Sequence, residues 1–344
     1  MIKVLVVDDS AIVRKIFQRE LGKDPSITVV GTAPDPYVAR DKIISLKPDV
    51  VTLDLEMPRM DGVTFLRKIM KYNPLPVIII SSLSDKSSNI AMEAMECGAV
   101  DVLRKPGTSY TVGDMAIELV DKVKAASKVN IKHKALVSKL VKGNREVLSI
   151  NITTHQILAI GASTGGTVAL DSLLSKMPYN SPGTIITQHM PKYFTKSFAM
   201  RLNAQSKMTV KEACDGDTVS MGTALIAPGD KHMLLRRSGA RYYVNIKDGP
   251  FVNRHRPSVD VMFKSVSQVA GKNAVGVILT GMGGDGAKGM FEMKKRGAIN
   301  IAQDEKSCVV FGMPKVAIET GAVDKIVSLE KIPRAIIKSI ESIT

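Results

Sequence analysis

Up to about residue 125, short apolar runs alternate with amphipathic stretches of helical length, and this alternation restricts the fold more than any other feature. The runs are "IKVLVV", "ITVVG", "DVVTLD", "PVIIIS" and "VDVLRK". Each is nearly uninterrupted, as expected of strands buried on both faces of a sheet. Runs of this kind separated by helices predict parallel strands with crossover connections. The first half is therefore expected to be a doubly wound α/β domain with five parallel strands. From about Asn151 a second set follows: "QILAIG", "GTIITQ", "TALIAP" and "AVGVILTG". Helical patterns follow several of them, as at Thr167–Met177 and Ser258–Ala270. "HMLLRRSGARYYVNI" reads instead as a β-hairpin turning at Ser238-Gly239. The second half is expected to be α/β too, with a mainly parallel sheet and an antiparallel hairpin.

A chain of 344 residues suits two domains, at about 150 residues each. Aromatics make up only 4% and Trp is absent, so the cores must be aliphatic. The formal charge of +15 is compatible with nucleic acid, an anionic membrane or an acidic protein partner, and does not choose among them. Cys97, Cys214 and Cys308 lie far apart and outside any metal-binding spacing, which fits a reducing cytosol. The first apolar run is too short for a signal segment. No stretch approaches the roughly 18 apolar residues of a membrane span. A cytoplasmic protein without membrane insertion is expected. Between Lys122 and Arg145 stand seven lysines, one arginine and no acid. This reads as a basic interdomain linker, giving domains at 1–121 and 151–344 around a joint at 122–150.

Strand ends carry the chemistry of the first half. Asp8 and Asp9 follow the first run, Asp54 ends the third, Ser81 ends the fourth and Lys105 follows the fifth. In open parallel sheets the carboxyl ends of the strands line the ligand crevice. Three carboxylates meeting there repel one another unless a cation sits among them. An all-oxygen set points to a hard ion such as Mg²⁺. A hydroxyl and a lysine facing the same place suit phosphoryl oxygens. With these residues in this order, positions 1 to about 120 resemble a response-regulator receiver domain. The resemblance implies Asp54 as phosphoacceptor and Mg²⁺ held by Asp9 and Asp54, with Asp8 acting through water. It implies Ser81 as switch hydroxyl and Lys105 as partner of the phosphoryl group. Leu103 is apolar where the family carries an aromatic switch residue.

In the second half, "ILAIGASTGG" ends an apolar run in two hydroxyl residues among glycines. Gly161-Ala162-Ser163-Thr164-Gly165 fits G-x-S-x-G, the spacing of a nucleophile elbow. The hydroxyls either cap the following helix or expose a nucleophile beside its N-terminal N–H donors. A nucleophile needs a base and an orienting acid. His189 follows "GTIITQ", and Asp285 lies in the glycine-rich loop after "VGVILT". If these strands are parallel, Ser163, His189 and Asp285 emerge on one edge. The Thr164 N–H is an expected oxyanion donor. His255, in "NRHRPSVD", is the competing base, with substrate contact as its other role.

The chain order Ser, His, Asp differs from that of the α/β-hydrolases. A receiver followed by "IGASTGG", "QHMP", "HRPSVD" and "LTGMGGDG" resembles the chemotaxis response-regulator methylesterases, the CheB family. The resemblance implies a Ser163, His189, Asp285 triad and adds the Met282 N–H as oxyanion donor. It implies glutamate methyl esters on chemoreceptors as substrate, with glutamine deamidation as a second activity. It implies a chemotaxis histidine kinase as phosphodonor and a receiver that obstructs the triad until phosphorylated. No cofactor is expected in the second half, and no nucleic acid partner. Within "PGDKHM" many relatives carry a further glycine, which bears on the loop around His232. The alternatives are a DNA-binding response regulator, which requires a helix-turn-helix output, and a nucleotide-binding enzyme, whose Walker A spacing with its lysine and whose G-x-G-x-x-G pattern are not matched by "GASTGG" or "GMGGDG".

Overall fold

The computed structural model describes residues 1–82, 84–105, 112–129, 131 and 155–343. The chain divides into two compact units, Met1–Leu136 and Val137–Thr344. Of the expected linker, residues 130 and 132–150 lie outside the described residues.

The first unit runs β1 (Ile2–Val7), α1 (Ala11–Leu21), β2 (Ile27–Ala33), α2 (Pro36–Leu46), β3 (Val50–Asp54), α3 (Gly62–Tyr72), β4 (Val77–Ser81), α4 (Asp85–Glu96), β5 (Asp101–Arg104) and α5 (Val112–Ala126). Its five strands are parallel, in the order β2-β1-β3-β4-β5. Every residue of β3, β4 and β5 is buried, as the unbroken apolar runs require. The order reverses at β1, so the crevice opens where β1 and β3 end. Ser10 caps α1 by accepting the Val13 N–H, and Asp8 Oδ1 accepts the Ser10 N–H at 2.9 Å. The helix α5 runs past the expected boundary at residue 121. Its Lys122 is buried and donates to Asp101 Oδ1 at 2.6 Å, so this lysine belongs to the packed unit rather than to a solvated joint.

The second unit runs β6 (Ile157–Ala162), α6 (Gly166–Leu174), β7 (Gly183–Gln188), α7 (Phe194–Gln205), β8 (Thr209–Glu212), β9 (Thr223–Ile226), β10 (His232–Ser238), β11 (Arg241–Lys247), α8 (Val259–Val269), β12 (Ala274–Ile278), α9 (Ala287–Lys295), β13 (Ile299–Gln303), α10 (Met313–Glu319), β14 (Lys325–Val327) and α11 (Ile332–Glu341). Seven strands form one sheet, β14-β13-β12-β6-β7-β9-β8, and its pairings are parallel. The chain enters at central β6, adds β7, runs out to the edge strand β8, comes back to place β9 between β7 and β8, and then crosses to the other side at β12. That reversal puts the crevice at the carboxyl ends of β6 and β12.

The hairpin β10–β11 stands apart from this sheet. Ser238 pairs with Arg241, so its two turn residues are Gly239 and Ala240, one position later than expected. Gly239 supplies a φ of +59°. Met233, Leu235 and Val244 of the hairpin share an apolar cluster with Met262, Phe263 and Val266 of α8. No described helix is long and apolar enough to cross a membrane.

Gly161 lets α8 lie close on β6: a Cβ there would stand 2.3 Å from Val259 Cγ1. Gly161→Ala must push the start of α8 outward. Overpacking of this kind typically costs about 1–3 kcal/mol. In chemical denaturation the second unit's midpoint should fall, with the first unit's transition unchanged.

Candidate active site

The strand register of the second unit brings Ser163 and His189 together. Ala162 pairs with Gln188 in the last rung of β6 and β7. Ser163 and His189 are the next residues of each strand, hence neighbours at the crevice. The Gln188 side chain ties them, its Nε2 donating to the Ser163 carbonyl at 3.0 Å and to that of His189 at 3.2 Å. Neither Ser163 nor Thr164 caps the helix behind them. Gly165 occupies the N-cap of α6 at φ +81°, with no side-chain cap. A Cβ there would stand 2.5 Å from Val309, so the sharp turn is a glycine requirement.

Asp285 arrives from the loop after β12. Its Oδ2 lies 2.8 Å from His189 Nε2. Oδ2 also accepts the Val259 N–H at 2.7 Å, while Oδ1 accepts from Ser258 Oγ at 2.8 Å and Asn253 Nδ2 at 2.7 Å. Ser258 is the N-cap of α8, so the carboxylate sits against that helix's positive end. Burial opposes the charge of Asp285, yet His189, Asn253 and the Val259 N–H outweigh it and hold its carboxyl well below the usual range. The other ring nitrogen, His189 Nδ1, is buried and has no hydrogen-bond partner among the described residues. His255 stacks on His189, with ring centroids 3.7 Å apart and planes 13° from parallel. Its ring lies over the ring of His189.

Met282 lies in the same loop as Asp285, between Gly281 and Gly283. Gly312 approaches so closely that a Cβ on it would stand 3.0 Å from Met282 Cα. His232 is a brace: its Nδ1 accepts the Ser258 N–H at 3.2 Å, and its Nε2 lies 2.9 Å from the Pro250 carbonyl. Asp230 adopts φ +62°, the left-handed conformation for which glycine is the unstrained choice and Asp a tolerated one. Asn253, Ser258 and Gln188 are not among the site residues expected from the sequence. Ser258 had a legible signal, a serine just before an amphipathic run; Asn253 and Gln188 had none.

In the first unit, Asp8, Asp9 and Asp54 each offer one oxygen, all within 4.8 Å of one another. Lys105 Nζ donates to Asp54 Oδ2 at 2.6 Å and stands 3.4 Å from Asp8 Oδ2. The buried Asp8 Oδ2 accepts no hydrogen bond among the described residues. A crowded all-oxygen set with an orphaned buried acceptor fits a hard cation. Burial pushes Asp54 up to about 6 against the pull of Lys105, and burial raises Asp8 as well. Lys105 is held above its ordinary value: burial opposes its charge, but Asp54 and Asp8 outweigh burial. Ser81 ends β4, and among the described residues its Oγ makes only long contacts of 3.5 Å, to the Ser82 and Ser87 carbonyls. Leu103 is fully buried.

A carboxyl group with a raised folded pKa weakens the fold as it ionises. Below its ordinary 3.8 Asp54 is neutral in both states; the cost grows up to about 6 and is full above that. In metal-free protein, Asp54→Asn should therefore raise the first unit's melting temperature at pH 7. The gain should shrink as pH falls from about 6 to about 4. A gain that stays constant across that window contradicts the tuning.

Comparison with known proteins agrees with this geometry. Residues 158–336 match the family model of the CheB methylesterase, and residues 4–115 that of the response regulator receiver domain. A protein-glutamate methylesterase/protein-glutamine glutaminase of Syntrophus aciditrophicus is 60% identical over 340 residues, covering 98% of this chain and 99% of the relative. Another, from Anaeromyxobacter dehalogenans, is 57% identical over 98% of this chain and 94% of its own. The crystal structure of the Thermotoga maritima CheB methylesterase catalytic domain aligns with a TM-score of 0.53 and 42% identity, over 54% of this chain and 99% of that one. The alternative of a DNA-binding output finds no support, since the matched output module is a methylesterase. By sequence match and fold alike, the chain belongs to the CheB methylesterase family, with a response regulator receiver domain ahead of its methylesterase domain.

Proposed function

We propose that the second unit hydrolyses glutamate methyl esters on chemoreceptors, with Ser163 as nucleophile, His189 as general base and Asp285 as orienting acid. The observation that carries this reading is the buried His189–Asp285 hydrogen bond at a strand end beside that of Ser163. Asp285 keeps the Nε2 proton of neutral His189, leaving the Nδ1 lone pair to take the Ser163 proton. The usual triad engages the opposite nitrogens, but the roles are the same. The Ser163 oxygen attacks the ester carbonyl carbon, and the imidazolium is stabilised by ionised Asp285. The N–H groups of Thr164 and Met282 receive the developing oxyanion. His189 returns the proton to the leaving methoxide, releasing methanol. Water then gives a proton to His189 as its oxygen attacks the acyl carbon, and His189 passes that proton to the Ser163 oxygen as the acyl–Ser163 bond breaks. A glutamine side chain reacts by the same steps with ammonia leaving, which makes deamidation a second activity.

The receiver is the control element. Asp54 is the phosphoacceptor, supplied by a chemotaxis histidine kinase. Asp9 and Asp54 would hold Mg²⁺, with Asp8 supporting it through water; bound there, the ion neutralises charge and orients phosphoryl oxygens. Lys105 neutralises the transferred group and Ser81 meets its oxygens. The unphosphorylated receiver restrains the triad, and phosphorylation favours a released arrangement.

Ser163→Ala should lower methanol release from a methylated receptor by at least about 10⁴-fold, the scale for loss of a triad nucleophile. Near-normal release would remove Ser163 from the mechanism. For control, acetyl phosphate with Mg²⁺ should phosphorylate and activate the wild type and leave Asp54→Ala unlabelled and unchanged. Residues 151–344 alone should outpace the unphosphorylated full chain. Equal rates of fragment and full chain would defeat restraint by the receiver.

A further inference from the structure

We propose that His255 is a positioning residue for the base, acting through its stack on His189; this rests on the triad reading above. Nε2 of His189 is tethered to Asp285, but one hydrogen bond leaves an imidazole free to swing about its line. Nδ1 has no described partner to stop that motion. The ring of His255, at 3.7 Å and 13° from parallel, covers one face and fixes the plane. Nδ1 then stays on a constant heading.

His255 is itself held by a tight turn. Its N–H donates to the Val252 carbonyl at 2.9 Å, and the Val252 N–H returns a bond to its carbonyl at 3.1 Å. The two central residues, Asn253 and Arg254, both adopt left-handed φ, +50° and +68°. Two successive non-glycine residues in that region persist only when their surroundings over-determine them, and such strain gathers at functional sites. The surroundings here do so. Arg256 Nη1 donates to the Gly249 carbonyl at 2.6 Å, and His232 accepts the Ser258 N–H. The same turn aims Asn253 Nδ2 at Asp285 Oδ1. One short segment therefore touches both the base and the acid.

The stack also has a chemical consequence. His189 becomes cationic only as it takes the Ser163 proton, and a π face favours a cation more than a neutral ring. An interaction stronger in the transition state than in the ground state raises kcat and leaves KM alone.

The full-length chain tests this, with methanol release from a methylated receptor and the rate of labelling by a fluorophosphonate as readouts. His255→Ala should lower kcat and labelling by about tenfold, with KM within about twofold. His255→Leu fills the space without a π face and should be as slow. His255→Phe restores the face and should recover most of the loss. Wild-type kcat in the Ala or Leu variant, a Phe variant as slow as Leu, or a loss lying in KM overturns the assignment. A Ser163→Ala variant that still releases methanol overturns the triad reading and this assignment with it.

Discussion

A buried negative charge at Asp285 is the constraint on which the second unit turns. Removing a carboxylate from water is costly unless it is paired and hydrogen-bonded. Here the fold supplies the compensation from several directions: the capping hydroxyl Ser258, the Val259 N–H at the head of α8, the Asn253 amide and the His189 ring. The Ser258 and Val259 donors arrive because the head of α8 lies close on β6. That closeness needs the missing side chain at Gly161 and the apolar cover of the hairpin on the outer face. Packing, capping and the proposed chemistry are thus one arrangement. Shifting the helix would weaken the hold on the acid, and with it the heading of the imidazole.

Asp54 ends β3 in the other sheet, where Asp285 comes from the loop after β12, and it is tuned the opposite way. Burial raises the carboxyl in both places. At Asp285 the donors win; at Asp54 a lysine shared with Asp8 and the Glu56 N–H do not offset burial and crowding. The difference suits the two proposed tasks. An orienting acid must remain an anion throughout turnover. A phosphoacceptor beside two other carboxylates stays unfavourably charged until a cation and a phosphoryl group arrive, so the pocket is poised to take them.

Much of this was legible because strand ends in parallel sheets are legible. An apolar run stops abruptly, and the next residue faces the crevice. Asp8, Asp54, Ser81, Lys105, Ser163 and His189 all announce themselves this way. The outer strands did not. "TVKE" of β8 alternates like an exposed edge, and "KIV" of β14 is too short to stand out. In β13, Asn300 interrupts the apolar pattern, yet it is buried because its amide donates to the Met290 and Ala322 carbonyls. Lys122 looked like part of a solvated joint because its partner, Asp101, lies 21 residues away in β5. Gln188 and Asn253 were silent for the same reason: their work is to touch residues remote in sequence.

The choice between His189 and His255 shows where sequence reasoning stops. Both stand near glycine or proline, and either is a plausible base by residue type alone. A ring accepts or gives a proton in its plane, through a nitrogen lone pair or N–H. His189 points one nitrogen in that way at Asp285, and what His255 turns toward His189 is its face. A face orients and stabilises but does not transfer protons. Ring planes therefore separate the two histidines into proposed base and proposed support, although the order Ser, His, Asp along the chain matches none of the familiar hydrolase orders. The order can vary because the meeting point is set by neighbouring strands β7, β6 and β12, and any sequence that brings these three ends together can place the same three groups there.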